Sequence, residues 1–376
     1  MSEHAADYVV VGSGLTGAVI ARLVADAGRE VLVVERRSHL GGNVHDTEAE
    51  GGIRVHTYGP HYFRTNSEAV WSFVRRFAEF YRYEAVLASL VDGRYERWPV
   101  AAEYIRRTLG DWEPAFSGVP SNFEEASLAM MPEPVYRSFV KGYTEKQWGV
   151  PAASLSADLA SRFEVRDDGD LRLKRHRHQG IPVGGYARLM AAMLAGLPVV
   201  LGRDYLEERS SFRWRRGLIF TGPIDAYFGC SEGRLRYRGQ EREHTYLPDV
   251  VQHQPFGQIN NPDPAGGPHV RTIEWTHMLS EQERAAARGT IVTRETPMTP
   301  TNPDHYEYPF PDGANRALYQ RYRAEAEAVP GLLVCGRLGE YRYYDMDQAI
   351  ARAMLLARRL MEGGRRPARP PTLARP

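Results

Sequence analysis

The sequence predicts an α/β protein in which a Rossmann-like dinucleotide-binding domain is interrupted by a helical subdomain and by a subdomain of antiparallel sheet. Three observations predict it. An apolar run over residues 7–11 passes through Gly12, Gly14 and Gly17 into a helical pattern, as a buried parallel strand does on entering a nucleotide-binding turn. Residues 101–149 carry helical apolar periodicity, and residues 229–310 break into short strand-like pieces separated by proline-rich loops such as Asn261-Pro262-Asp263-Pro264.

The first forty residues organise the rest. Gly12 permits the tight turn, Gly14 lets backbone approach a pyrophosphate, and Gly17 lets the helix lie on its strand, with phosphate charge at the helix N-terminus. Residues 31–35 form a second strand ending in Glu35, placed to accept the hydroxyls of an adenosine ribose. A carboxylate there favours a free 2′-hydroxyl, hence FAD or NAD rather than NADP. Gly41-Gly42-Asn43 adds a second close backbone approach after the cations Arg36 and Arg37, which favours FAD.

Bulk properties narrow the class. At 376 residues the chain exceeds what one core usually serves, so two or three subdomains are expected. A formal net charge of +1 gives no support to nucleic-acid or membrane-surface binding, so any anion site must be built locally. Residue 7 already begins a strand and no run of eighteen apolar residues exists, which points to a cytoplasmic protein. Two cysteines, Cys230 and Cys335, lack metal-ligand or CxxC spacing and read as buried thiols, with no metal site expected.

The remaining elements follow in order. His56 to Asn66, interrupted by Gly59-Pro60, reads as a loop carrying polar side chains toward a ligand, and residues 67–82 as an amphipathic helix. Residues 83–90 and 93–98 pair as a hairpin about Asp92-Gly93. The helical stretch ends in Phe139, Tyr143 and Trp148 around a hinge at Gly142, and the charged residues 161–179 read mostly as a solvated loop. A helix over 187–195 and strands at 199–201 and 218–223 return the chain to its first domain. A buried strand at 331–335 and a helix over 347–361 complete it, and the proline- and arginine-rich residues 365–376 are expected to be disordered. The expected division is 1–82, 183–228 and 329–364 for the FAD-binding domain, 99–150 for the helical subdomain, and 83–98, 151–182 and 229–328 for the sheet that meets the substrate.

Five segments beyond the fingerprint carry a family resemblance. They are Gly41-Gly42-Asn43, Lys141-Gly142-Tyr143-Thr144-Glu145-Lys146-Gln147-Trp148-Gly149, Gln179-Gly180-Ile181-Pro182-Val183-Gly184-Gly185-Tyr186, Thr221-Gly222-Pro223-Ile224-Asp225, and Gly336-Arg337-Leu338-Gly339-Glu340-Tyr341-Arg342-Tyr343-Tyr344-Asp345-Met346. Over residues 7–361 the chain resembles the bacterial UDP-galactopyranose mutases. The resemblance implies pyranose-to-furanose ring contraction of a nucleotide-diphosphate sugar without net redox change, with N5 of reduced FAD as the nucleophile on the anomeric carbon. It places Arg166 and Arg271 on the leaving diphosphate, Tyr308 and Tyr343 as phenol donors beside it, and Asp345 in the same turn. On the cofactor side it places His61 beside the flavin, with Arg337 and Met346. On the substrate side it places Phe139, Tyr143, Trp148, Asn261 and Tyr344. A homodimer is also implied.

Four departures concentrate on the substrate side. Arg64 stands where the family has a second loop histidine, His178 where it has an aromatic, and Ala101 where it has an asparagine near the base. Asp167-Asp168-Gly169-Asp170-Leu171 replaces an aromatic-rich run. Arg64 and His178 are therefore candidate specificity residues, and a GDP- or TDP-linked sugar is open beside UDP-galactopyranose. Two other readings remain at this stage: an FAD-dependent oxidoreductase of amine-oxidase type, and a non-catalytic nucleotide-sugar binder.

Overall fold

A computed structural model describes residues 4–362, so the tail over 365–376 lies outside the described residues. Five parallel strands form the nucleotide sheet, ordered Val199–Leu201, Val31–Glu35, His4–Val11, Phe212–Phe220 and Leu332–Val334. Its central strands are apolar on both sides because both sides are covered. Val10 and Val33 face a core shared with Ile20, Met190 and Ile350 from three covering helices, whereas Val9, Leu32 and Val34 join Phe212 and Leu218 of the next strand and Tyr205 in a second core. Each such aliphatic side chain contributes about 1.5–3 kcal/mol by leaving water.

The second large sheet has seven strands, ordered Tyr308–Pro309, Tyr237–Leu247, Thr290–Met298, Arg271–Glu274, Gln258–Asn260, Leu87–Val91 and Arg94–Trp98. All neighbours are antiparallel except Gln258–Asn260, which runs parallel to Leu87–Val91. The hairpin turns at Asp92-Gly93 with φ of 50° and 74°, the left-handed pair that matches strand twist. Helices from Ala102 to Trp148, with a π-helical turn at Tyr136–Lys141, pack around Ile105, Phe123, Met131 and Tyr136 as a separate core.

Several expectations are corrected. The helix expected over 67–82 stops at Val74, and Phe80–Arg82 is instead a strand pairing with residues 180–182. Tyr237–Leu247 is one continuous strand whose charged middle hides it from a hydrophobicity pattern. Leu332–Val334 is half-buried because it lies at the sheet edge. Cys230 is half-buried at a left-handed turn, not a core thiol. Gly142 is no hinge: it is helical, and a Cβ there would lie 2.1 Å from the Pro262 carbonyl oxygen, so its role is close approach. Among the described residues no helix is long and apolar enough to cross a membrane.

Candidate active site

Two clefts meet. The first runs along the C-terminal edge of the nucleotide sheet, from Arg203–Leu206 past Gly14, Glu35 and Asn43 to His61, Arg337 and Met346. The first helix, Leu15–Asp26, begins at Gly14 with no side-chain cap and no acid in its first turn, so its orphan N–H groups are free to receive a pyrophosphate. Glycine is required twice here: a Cβ on Gly17 would lie 2.0 Å from the Gly12 carbonyl oxygen, and Gly12 itself sits at φ +99°. Glu35 is buried. One of its oxygens accepts from the backbone and hydroxyl of Ser13, at 2.8 and 2.7 Å, and the other from Arg37 N at 2.9 Å. Its remaining lone pairs face the cleft at the ribose position. Gly42, with φ +55°, lies against Gly14, and Arg36 is tied to Asp304 at 2.8 Å across the cleft mouth. These residues fit FAD.

The second cleft lies beneath the seven-stranded sheet. Strand register puts Arg242, Glu295 and Arg271 side by side across three strands, pointing to one face. Arg242 lies 2.8 Å from both Glu295 and Glu307, and Arg271 pairs with the other oxygen of Glu295. Burial opposes charge on Glu295, but the two guanidiniums outweigh it and hold its carboxyl below the usual range. The network thus fixes the Arg271 fork by its Nε edge.

Around Arg271 stand the phenols. Tyr308 and Tyr343 stack with ring centres 6.0 Å apart, and the guanidinium of Arg337 lies 4.9 Å from the Tyr343 ring centre. Burial, with Glu307 adding to it, pushes Tyr308 up to about 12, so its hydroxyl stays a donor at neutral pH. Tyr143 faces Arg271, Glu295 and Tyr343 from the helical subdomain. Asp345 accepts from Tyr343 Oη at 3.3 Å and from Arg64 Nη2 at 3.0 Å. Burial opposes its charge, but Arg64, Arg162 and Arg337 together hold its carboxyl low.

His61 joins the clefts. It lines the cofactor cleft, its backbone N–H donates to His56 Nδ1 at 2.9 Å, and its own Nδ1 is buried without a hydrogen-bond partner among the described residues. Burial and the nearby Arg337 charge lower its pKa to about 3, so it is neutral at pH 7. The loop is seated by Gly59, whose added Cβ would lie 2.7 Å from Glu295 Oε1.

The structure therefore brings together Arg271, Tyr308, Tyr343, Asp345, Tyr143, Arg337 and His61. Others it places elsewhere. Arg166 is buried against Glu164 and the carbonyl oxygens of Arg172 and Leu173. Asn261 folds back on Gly266 and His269, because the register that faces Arg271 toward the cleft selects Asn260 as its partner instead. His178 stacks on Trp71 at 4.9 Å with Nε2 2.9 Å from Glu68, outside either cleft. Phe139 and Trp148 are buried in the helical core, although the Trp148 ring reaches Tyr308 edge-on at 6.5 Å. Tyr344 lines the cofactor cleft, its hydroxyl on Glu340, rather than the substrate side. Unforeseen were Arg162, Arg242, Glu295, Glu307 and Asn260. The network carries no local sequence signal, because its members meet only through strand register.

Fold and site together define a flavoprotein whose FAD cleft opens onto a cationic, tyrosine-lined cleft suited to a phosphorylated substrate. Family models match it as UDP-galactopyranose mutase over residues 138–343 and as an NAD(P)-binding Rossmann-like domain over residues 10–77. A probable UDP-galactopyranose mutase of Klebsiella pneumoniae is 31% identical over 369 residues, covering 93% of this chain and 94% of its own. The dTDP-fucopyranose mutase of Escherichia coli is 31% identical over 366 residues, covering 92% and 96%. A crystal structure of reduced UDP-galactopyranose mutase shares the fold, with a TM-score of 0.70 at 15% identity over 96% of this chain and 94% of that one. The chain belongs to the UDP-galactopyranose mutase family. It is a flavin-dependent nucleotide-sugar mutase, an isomerase that acts on a nucleotide-linked sugar.

Proposed function

We propose that this chain interconverts the pyranose and furanose forms of a nucleotide-diphosphate hexose, with UDP-galactopyranose as the default substrate. One observation carries the reading: beside the FAD cleft, Arg271, Arg337 and the stacked Tyr308 and Tyr343 converge on one space, with His61 neutral between. When bound and reduced, FAD supplies the nucleophile toward the anomeric carbon. Glycines of the first turn, Glu35, Arg36, Asn43 and Met346 would hold it.

The chain's own residues supply position and charge. As the anomeric C–O bond breaks, negative charge grows on the departing diphosphate, and the free Nη edge of Arg271 with the Tyr308 and Tyr343 hydroxyls would receive it. Glu295 orients that fork without competing for its outer edge. His61, uncharged, would stand beside the cofactor without repelling the cations nearby. Arg64, anchored to Asp345, would contact the sugar or its phosphate, and Tyr143 would flank the nucleotide. We take the working form to be a homodimer, which a sedimentation mass of one chain would refute.

The test incubates dithionite-reduced and oxidised protein with UDP-, dTDP- and GDP-linked hexoses and separates pyranose from furanose products by chromatography. Furanose product from the reduced protein only is expected. No furanose from any of them, or net consumption of the reduced flavin by substrate, would contradict the reading.

A further inference from the structure

We propose that the trough on the outer face of the seven-stranded sheet is a second ligand site, one that takes an uncharged sugar. Side chains alternate along each strand, so the register that turns Arg242, Glu295 and Arg271 toward the substrate cleft turns Glu243, Arg294 and Thr272 the other way, with Ile259 beside them. These outward residues floor a cavity of about 380 Å³, within the roughly 300–1,000 Å³ of small-ligand sites.

The trough is walled. The strand Gln258–Asn260 enters from the loop over 248–257 and leaves into the loop over 261–269, so the two loops close opposite ends. Buried Glu274 pins the first by accepting the backbone N–H groups of His253 and Gln254, each at 2.8 Å, and Thr272 Oγ1 donates to Gln254 Oε1 at 2.9 Å. Asn261 holds the second through the Gly266 carbonyl oxygen at 2.9 Å, and Lys146 through the carbonyl oxygens of Asn261 and His269 at 3.1 and 3.3 Å. Along one side stand Leu90 and Tyr95, direct partners across their hairpin. Tyr95 is 52% exposed, and Phe256 meets its ring in a T-shaped contact with centres 6.3 Å apart.

The fixed charges around it already have partners. Glu274 has its backbone donors, Lys146 sits on two carbonyl oxygens, and Arg294 lies 3.4 Å from Glu243. Nothing there singles out a phosphate or a carboxylate, which are held by forks of unspent cationic donors. What is left over is hydrogen-bonding capacity without a permanent charge: the His253 ring and the Thr245 hydroxyl have no hydrogen-bond partner among the described residues. That combination suits a sugar. Its C–H face stacks on an exposed aromatic ring, while its hydroxyls, each both donor and acceptor, reach the polar rim.

The experiment applies saturation-transfer NMR to FAD-loaded protein, with the methyl glycosides of galactose, glucose and mannose as neutral probes, glucuronate as a charged one and benzyl alcohol as an apolar one. Each is measured with and without UDP, which the mutase reading places in the substrate cleft. At least one glycoside should bind with a dissociation constant on the order of 1–10 mM whether or not UDP is present, and glucuronate no more tightly. Tyr95→Ala should weaken that glycoside about tenfold and Tyr95→Phe by less than about threefold, while both keep wild-type flavin content, thermal midpoint and sedimentation mass. No glycoside binding, binding that UDP abolishes, undiminished binding in Tyr95→Ala, or tighter binding of glucuronate or benzyl alcohol overturns the assignment and leaves the mutase reading standing. An altered sedimentation mass in Tyr95→Ala would make this face a contact between copies of the chain, and overturns it as well.

Discussion

The cofactor cleft and the substrate cleft share Arg337 and His61 yet are built in opposite ways. The first is made of backbone: Gly17 and Gly42, where an added Cβ would fall 2–3 Å from other main-chain atoms, and a helix start left uncapped. The second is made of side-chain charge, with Arg271, Glu295 and Arg242 drawn from three strands and Glu307 from just before a fourth, locked together away from water. A backbone site tolerates side-chain change but no added Cβ. A charge site tolerates small shape changes but not the loss of one member.

The largest break expected on the cofactor side is Gly17→Ala. Its Cβ would overlap the Gly12 carbonyl oxygen at 2.0 Å, so the purified variant should carry no flavin, read as visible absorbance per chain. Stoichiometric flavin in that variant would contradict a backbone-built cleft. On the substrate side the matching break is Glu295→Gln, which leaves two buried guanidiniums short of a partner and should cost about 3–5 kcal/mol in denaturant unfolding. A loss under 1 kcal/mol would show that the network does not hold the sheet.

Smaller changes sharpen the contrast. Tyr308→Phe and Tyr343→Phe each remove a phenol donor to a charged group, worth about 1.5–3 kcal/mol, so kcat/KM should fall about 10–100-fold with flavin content unchanged. His61 links both clefts through pH. Its folded pKa of about 3 lies below the unfolded value, so the unfolded chain takes up the proton first as pH falls. Stability is then complete above about pH 6.5 and declines toward pH 3, by up to about 2 kcal/mol at pH 5. His61→Gln should flatten that part of the profile in urea unfolding at pH 7 and pH 5. The smallest effect separates two neighbours: Asn260→Ala should raise KM several-fold, whereas Asn261→Ala should leave KM alone and loosen the turn to His269, seen as faster amide exchange there.

What the sequence made legible follows the same division. Residues 7–43 form one contiguous strand–helix–strand unit, so glycine spacing and Glu35 could be read in place. The charge network could not, because nothing in the local sequence says that Arg242 and Glu295 are register partners. Gln258–Asn260 is three residues long, too short for a period of two to show, and Asn261, placed near the sugar by resemblance, lies just past its end with its amide on Gly266 and His269. Arg166 was placed on the diphosphate by resemblance, and its contact with Glu164, two residues earlier, could not be read from the charged run it sits in.

The most direct test of the central claim is a crystal structure of the FAD-loaded protein with UDP. The diphosphate should lie against the free edge of Arg271 and the hydroxyls of Tyr308 and Tyr343, with Tyr143 beside the nucleoside. A diphosphate found instead at the Arg36–Asp304 mouth, with the Arg271 cleft filled by water, would contradict it.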